Sequence, residues 1–409
     1  MRNTISVLLV SLFSVISLAQ ASDSPKNWTF LIYLNGNNSL DDFGTTNLNQ
    51  MEKVGSTDQV NVVVQWASMA AGKTQRLLVK KIDESGKVSS PIVQDMGQVD
   101  MGDYNTLVDF VKWGVANYPA QHYFIDVWDH GSGWHQLQSM NHVTQGITKG
   151  PIHAQDISLD ENTGHWITTE QLGLAMGEAA KIIGHKVDVY GSDACLMAMA
   201  EVAGEMTDSV QYFVGSQQTE PGAGWPYTEL LTRWNAQANA TGADVSKILT
   251  EEYVKSYQSG GSNSPDEVTF SGFDLSKMAD LDATLNTLGA KLRAVDSTER
   301  AKLVSAIGSA QSFTNQDYDD LLDYLNLIKQ ANVRNLVPAD FADVETAAKA
   351  FIIANADTDT FNRATGLSIW LPADKSTYST YSDRYKGLKF SAASSWGATL
   401  ESLFQDSRN

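Results

Sequence analysis

Two short segments of the chain combine residue types that carry out acid–base and nucleophilic chemistry. Residues 128–134 (WDHGSGW) contain His130, and residues 191–196 (GSDACL) contain Cys195. Each segment directly follows an apolar, strand-like run, so both loops leave the carboxyl end of a strand. If the two strands are neighbours, about 4.8 Å apart, His130 and Cys195 meet at one edge of a sheet.

That arrangement suits a thiol nucleophile. A free thiol has a pKa of about 8.5 and is only slightly ionised at neutral pH. A nearby imidazole takes its proton and later returns one to a leaving amine. A helix predicted to begin near Cys195 would favour the thiolate. Gly131 allows close approach of a substrate, and the amides of Gly131 and Cys195 would bind a developing oxyanion.

Cys195 is the only cysteine in the chain, so no intramolecular disulfide is possible. A lone cysteine is often an inert, buried small side chain, and a histidine followed by glycine is a weak signal by itself. Both residues stand at strand ends in a chain with an export signal, and this combination favours the catalytic interpretation over the inert one.

The first residues resemble an export leader. Arg2 precedes an apolar run that ends in Ala19-Gln20-Ala21, which predicts a signal peptide over residues 1–21. The run is short for a membrane anchor, which needs roughly 20 apolar residues. We therefore expect an exported protein, periplasmic or secreted, with no membrane attachment after the leader is removed.

The net charge of the chain limits the kinds of molecule that it can bind. The chain has 29 basic and 48 acidic residues and a net charge of −19. Loss of the leader removes only Arg2 and brings the net charge to −20. A surface this acidic disfavours binding to nucleic acid and to anionic lipid.

Short apolar strands alternate with helical patterns through the first half of the chain. This alternation predicts an α/β fold with a mainly parallel central sheet covered on both faces. In such sheets ligands bind at the carboxyl ends of the strands. The predicted strands are 28–34, 60–66, 75–81, 123–128, 187–190 and 212–214, and the predicted helices are 106–116 and 168–183.

The second half is richer in helical patterns, and residues 259–266 (SGGSNSPD) have the composition of a loop. We divide the mature chain into a catalytic core over 22–260 and a helix-rich part over 261–409. Pattern alone leaves open whether the second part adds strands to the same sheet. Its predicted helices are 243–258, 278–294, 299–311, 318–330 and 340–355, and its predicted strands are 268–273 and 367–371.

The two loops resemble the histidine and cysteine motifs of the clostripain family of cysteine peptidases, which belongs to the caspase-like group. The resemblance lies in WDHGSGW and in SDACLMAMAEV, and it extends to residues 28–41, 157–160, 215–225, 270–277 and 366–372. It implies a caspase-like three-layer fold and a cysteine endopeptidase with His130 as base and Cys195 as nucleophile.

The resemblance also implies a specificity. Asp193 matches the acidic position of the family's S1 pocket, which implies cleavage after Arg or Lys. The alternative is that Asp193 caps the following helix. Family members often cut themselves between the two motifs, where the basic residues are Lys149, Lys181 and Lys186. Lys149 lies in a loop-like stretch, so we expect self-cleavage there.

No organic cofactor or metal is required by this chemistry. The histidines lack the helical spacing of a zinc site, and the acidic groups do not match an EF-hand loop, so we name no metal ligands. Clostripain-like enzymes can depend on calcium, which remains an open expectation. We expect a monomer that acts on protein or peptide substrates.

Two other functions remain open. One is a non-catalytic binding protein on a caspase-like scaffold. The other is an exported glycan-binding or glycan-hydrolysing protein, suggested by ten tryptophans. Trp134, Trp166 and Trp225 lie in predicted loops, where they either shape subsites or simply pack beneath the loops.

Overall fold

The computed structural model describes residues 25–82, 86–135, 156–237 and 239–404. The predicted signal peptide and Lys149 lie outside these residues. The strands are β1 (Lys26–Gly36), β2 (Val60–Ser68), β3 (Lys73–Leu78), β4 (Ile92–Gly97), β5 (Ala120–Trp128), β6 (Ile157–Asp160), β7 (His165–Ile167), β8 (Val187–Asp193), β9 (Val210–Gly215), β10 (Thr269–Asp274), β11 (Tyr318–Asp320), β12 (Ile352–Asp357) and β13 (Ser368–Trp370).

The α-helices follow the strands closely in the first half and dominate the second. They are α1 (Asp41–Glu52), α2 (Tyr104–Asn117), α3 (Thr169–Ile183), α4 (Ala200–Met206), α5 (Tyr227–Asn235), α6 (Gly242–Tyr257), α7 (Met278–Arg293), α8 (Ser297–Ile307), α9 (Leu321–Gln330), α10 (Ala339–Phe351), α11 (Lys375–Gly387), α12 (Lys389–Ser394) and α13 (Trp396–Phe404).

A nine-stranded sheet runs through the centre of the described structure, in the order β12-β10-β9-β8-β5-β1-β2-β3-β4. The five strands from β9 to β2 are parallel to their neighbours. The strands outside them pair antiparallel. The parallel strands are long apolar runs because helices cover both of their faces.

β1 shows how the sheet divides the core into two layers. Leu31 and Tyr33 face a cluster that includes side chains of α2, α3 and α7. Phe30, Ile32 and Leu34 face the opposite cluster, built with α1, α5 and α6. Successive side chains of a strand point to opposite faces, so one apolar run serves both layers. The predicted three-layer α/β class is confirmed.

α3 illustrates why the local sequence folds as it does before the cysteine strand. Thr168 and Gln171 form a capping box at its beginning, and Gly184 ends it with a left-handed φ of 91°. The chain then enters β8 directly, which fixes where the loop carrying Cys195 begins.

The C-terminal half is joined to the catalytic half at several points. β10 and β12 complete one side of the central sheet. The buried Glu201 of α4 accepts hydrogen bonds from the Trp370 amide at 2.9 Å and the Tyr385 hydroxyl at 2.8 Å. The division of the chain at residue 260 stays a prediction.

Some predicted elements in the second half were wrong. Residues 340–355 were expected to be one helix, but α10 ends at Phe351 and the next six residues form β12. Pairing with β10 and the β-branched Ile352 and Ile353 favour the strand there. Residues 318–330 likewise begin with β11 before α9 starts.

Within the described ranges, every helix is too short or too polar to span a bilayer.

Candidate functional site

The pairing of β5 with β8 brings the two predicted loops together. Trp128 lies opposite Asp193 in the parallel register, and the Asp129 amide donates to the Asp193 carbonyl at 3.2 Å. Gly131 is so close to the cysteine loop that an added Cβ would lie 2.5 Å from the Cys195 carbonyl oxygen. The position therefore requires a residue without a side chain.

A sharp turn carries Cys195 away from the end of β8. The next residue, Leu196, has a left-handed φ of 64°, which is strained for a residue with a Cβ. Its amide donates to the Gln218 carbonyl at 3.1 Å, which holds the turn against the segment after β9. Helix α4 begins only at Ala200, so our expectation of a helix N-terminus beside the thiol was wrong.

The thiol of Cys195 is almost enclosed. The side chain is 8% exposed, and the Glu220 amide donates to the sulfur at 3.3 Å. Burial raises the pKa of the thiol to about 11, and the charge of Asp193 adds to the rise. The amides of Glu220, Cys195 and Gly131 oppose it through hydrogen bonds. The Glu220 amide thus donates to the sulfur and the amides of Cys195 and Gly131 lie near it, yet the neutral thiol is favoured.

His130 is held by groups from the loop that follows β1. Its Nε2 atom lies 2.9 Å from the Ser39 hydroxyl. The adjacent Asp129 accepts hydrogen bonds from the His130 amide, from Asn38 at 2.6 Å and from Asn35 at 2.7 Å. Asp129 thus ties the histidine loop to the end of β1.

Asp193 lies at the end of β8, 4% exposed, beneath the cysteine loop. It does not cap a helix, because the residue before α4 is Met199. Its carboxyl oxygen lies 2.7 Å from the Tyr227 hydroxyl, which also lies 2.9 Å from the Asp126 carboxyl. Burial raises the pKa of Asp193 to about 7, against the lowering effect of the hydrogen bond with Tyr227.

The shared hydroxyl constrains the protonation of this pair. Tyr227 has one hydrogen to donate, so a hydrogen bond with each carboxyl requires one of them to donate in return. Burial and the charge of Asp193 raise the pKa of Asp126 well above its ordinary value. The shared hydroxyl and the raised pKa values of both acids favour a protonated carboxyl at one of the two positions in the free protein.

Sequence reasoning missed several of these residues. Ser39 and Asp129 stand at the ends of β1 and β5, where the rule that ligands bind at the carboxyl ends of strands would have marked them. Tyr227, Asp126 and Glu220 gave no comparable local signal, because they come from separate elements and meet only in the folded chain.

The structure also bears on the possible metal ligands and on the tryptophans of the predicted loops. Among the described residues, no group of three or more His, Cys, Asp or Glu side chains is arranged to hold a metal ion. Asp156, which the sequence places near the acidic residues Asp160 and Glu161, pairs with Arg384. Trp134 and Trp225 are fully buried, so they pack in the core and do not line an open subsite.

Comparison of the chain with known protein families gives one match that covers most of its length. The model of the clostripain family matches residues 32–403. The chain belongs to the clostripain family. This match spans both loops and nearly all described elements, so the resemblance carried by the two motifs is confirmed.

Clostripain of Hathewaya histolytica is 24% identical over 327 residues, which cover 69% of this chain and 59% of that protein. The chain thus spans less than two thirds of the length of this clostripain relative.

Solved structures share the fold. A secreted C11 cysteine protease from Bacteroides thetaiotaomicron, solved with an irreversible peptide inhibitor, matches with a TM-score of 0.65 and 20% identity, over 91% of this chain and 99% of that one. An inactive zymogen of a C11 protease from Parabacteroides distasonis matches with a TM-score of 0.64 and 18% identity, over 94% and 100%. These likenesses support the caspase-like three-layer fold.

The enclosure of the thiol predicts how it reacts in the free clostripain-family protein. Alkylation of Cys195 by iodoacetamide should be about a hundred-fold slower at pH 8 than that of an ordinary cysteine, because so little thiolate is present. The rate should rise with pH up to a pKa of about 11. Mass spectrometry follows the reaction without ambiguity, since the chain has one cysteine.

The same chain in denaturant provides the control, because its thiol then titrates as an ordinary cysteine. A fast rate that stays constant between pH 6 and pH 8 would contradict this prediction, since it would mean that the thiolate already dominates.

Proposed function

We propose that this protein is an exported cysteine endopeptidase that cleaves peptide bonds after Arg or Lys, with Cys195 as nucleophile and His130 as general base and acid. The observation that carries the proposal is the contact of the two loops at the carboxyl edge of the sheet, next to the buried carboxyl of Asp193. Membership of the clostripain family supports the reaction class.

The proposed chemistry begins with a neutral thiol. As the sulfur attacks the scissile carbonyl carbon, His130 accepts the thiol proton, so no free thiolate needs to accumulate first. The S–C bond forms while the carbonyl π electrons move onto oxygen. The amides of Gly131 and Cys195 already lie near the sulfur, and we assign them to this oxyanion.

Collapse of the tetrahedral intermediate then breaks the C–N bond. The leaving amine takes the proton from His130, and a thioester on Cys195 remains. Water adds to the thioester carbonyl and gives a proton to His130. Departure of the sulfur, which takes the proton back, releases the carboxylic acid and restores the thiol.

We assign Asp193 to recognition of the basic P1 side chain. Its carboxyl is buried two residues before the nucleophile and has no ion-pair partner among the described residues. A charge-assisted hydrogen bond in such a place contributes roughly 1.5–3 kcal/mol. An unpaired acid at this depth is costly to the fold, which favours a role in binding a cation.

Fluorogenic peptides with Arg, Lys, Asp or Leu at P1 test the proposal. Mature protein with a thiol reductant, with and without calcium, should cleave only after Arg or Lys, and Cys195→Ala should abolish the cleavage. Cleavage after Leu or Asp would discard the role of Asp193. Absence of any cleavage by folded, processed protein would favour the non-catalytic binding protein.

Ser39 is the positioning residue that we assign to His130. If its hydroxyl accepts the Nε2 hydrogen, Nδ1 carries the lone pair that receives the thiol proton. Ser39→Ala should lower kcat by about ten-fold, the value of one hydrogen bond, and leave KM nearly unchanged. Steady-state kinetics measure both constants.

Ser402→Ala is the matched control, because it also removes one hydrogen bond, to the Thr399 carbonyl in α13, away from the two loops. Equal kinetics for the two variants, or a rise in KM alone for Ser39→Ala, would refute the assignment of Ser39.

We also propose self-cleavage after Lys149. The two other basic residues between the motifs lie in or beside regular structure: Lys181 is inside α3, and Lys186 donates to the Thr207 carbonyl at 2.7 Å just before β8. Cleavage at either would break elements that position Cys195.

Electrophoresis and N-terminal sequencing test this site. Active wild-type protein should yield a second fragment that begins at Gly150, whereas Lys149→Ala and Cys195→Ala should remain intact. A wild-type protein that is fully active as a single chain, or a Lys149→Ala variant that is cut at another residue, would refute it.

A further inference from the structure

Glu220 occupies an unusual position beside the thiol. Its backbone amide donates to the Cys195 sulfur at 3.3 Å. The residues just before it are also held, because the Gln217 and Gln218 amides donate to the Thr269 hydroxyl at 3.0 and 3.1 Å. The place of Glu220 is therefore set by its neighbours and does not depend on its own side chain.

The carboxyl of Glu220 lacks the partners that a buried acid normally has. Both of its oxygens are shielded from solvent, and neither makes a well-formed hydrogen bond with the described residues. The Asp193 carboxyl is the group that interacts with it directly. Buried polar atoms are rarely left in this state unless water, an ion or a ligand completes them.

A second orphaned group points to the same place. The Tyr253 hydroxyl is fully buried and also has no hydrogen-bond partner in the described structure. Glu220 is the charged group that acts on it most strongly, followed by Tyr257 and Asp193. The Tyr253 hydroxyl and the Glu220 carboxyl, both without a satisfied hydrogen bond among the described residues, thus both interact with Asp193.

The ionisable side chains of this cluster are all acids. Asp126, Asp193 and Glu220 are packed together, and none of them forms an ion pair with a described Lys, Arg or His side chain. Burial, followed by the charge of Asp193, raises the pKa of Glu220 well above its ordinary value. The cluster therefore holds protons until a cation replaces them.

We propose that Glu220 is a second specificity-determining carboxylate, which together with Asp193 receives the basic P1 side chain. This inference rests on the proposed function and adds a preference within it. A guanidinium has five N–H donors in a planar fork and can bond to two carboxylates at once, whereas an ammonium is a compact charge with three donors. Two acids on separate loops therefore favour Arg over Lys at P1.

The two-carboxylate pocket also predicts the effect of pH. A P1 cation binds the ionised acids, so binding must displace the protons that the free pocket holds. The pKa of Asp193 is raised to about 7, so KM for a basic substrate should fall as pH rises from 6 to 8. In Asp193→Asn, KM for the same substrate should depend less on pH over this range, because the titrating carboxyl is absent.

Glu220→Gln in the mature enzyme tests the proposal, because the amide keeps the shape and the backbone contact with the thiol. For Arg substrates KM should rise about ten-fold or more, as expected for one charge-assisted hydrogen bond, with kcat little changed. The rise in KM should be smaller for Lys substrates, so the selectivity for Arg over Lys should fall. Asp193→Asn serves as the comparison, and it should weaken the binding of both Arg and Lys substrates.

A binding measurement separates recognition from catalysis and from misfolding. Benzamidine, a small planar cation, is titrated calorimetrically at pH 7 into Cys195→Ala and into Cys195→Ala with Glu220→Gln, in two buffers of different ionisation enthalpy. The second variant should bind about ten-fold more weakly and release fewer protons.

The outcomes distinguish this proposal from the one it rests on. A wild-type enzyme that does not cleave after Arg or Lys would refute the proposed function. If the wild type does so, unchanged kinetics and benzamidine binding in Glu220→Gln would refute the role of Glu220. An equal loss of kcat for every P1 residue would also refute it, since Glu220 would then only hold the backbone over the thiol.

Discussion

The parallel pairing of β5 with β8 is the constraint on which the site depends. Because parallel strands end on the same edge of a sheet, the register that sets Trp128 opposite Asp193 also sets the histidine loop against the cysteine loop. The close approach of Gly131 to Cys195 leaves no room for a side chain. β1, on the other side of β5, supplies Ser39 and the amides that hold Asp129. Three neighbouring strands thus deliver the thiol, the imidazole and the groups that orient the imidazole.

The acidic pocket shows what this arrangement costs the fold. Asp126, Asp193 and Glu220 are buried together without a described cation, and burial raises the pKa of each. Uncompensated buried charge is destabilising, so the free protein keeps protons there, and the hydroxyl of Tyr227 is shared between two of the acids. Such strain is expected where a ligand of opposite charge completes the site.

The sequence was most informative where one segment carries the whole signal. The runs before His130 and Cys195 are apolar enough to indicate strands, and the loops that follow contain the reactive residues, so this edge of the sheet was predictable. The contacts between segments that are distant in the sequence were not predictable in this way. Glu220 and Tyr227 meet Asp193 only because β9 and α5 pack beside β8, and no local pattern marks that contact. β12 was mistaken for helix because its strand character depends on pairing with β10.

The thiol and the pocket are linked through charge. The negative charge of Asp193 is one cause of the raised pKa of Cys195, so at a pH at which Asp193 is ionised and no cation is bound, this charge opposes formation of the thiolate. A basic side chain between Asp193 and Glu220 would cancel that charge and remove this cause, although burial of the sulfur would remain. On this reasoning, the basic P1 residue of the substrate also makes the thiol of Cys195 easier to deprotonate. A substrate without a cation at P1 would meet a less reactive thiol and would leave the acids of the pocket without a partner. Selectivity for Arg and Lys would then appear in the rate of acylation as well as in binding.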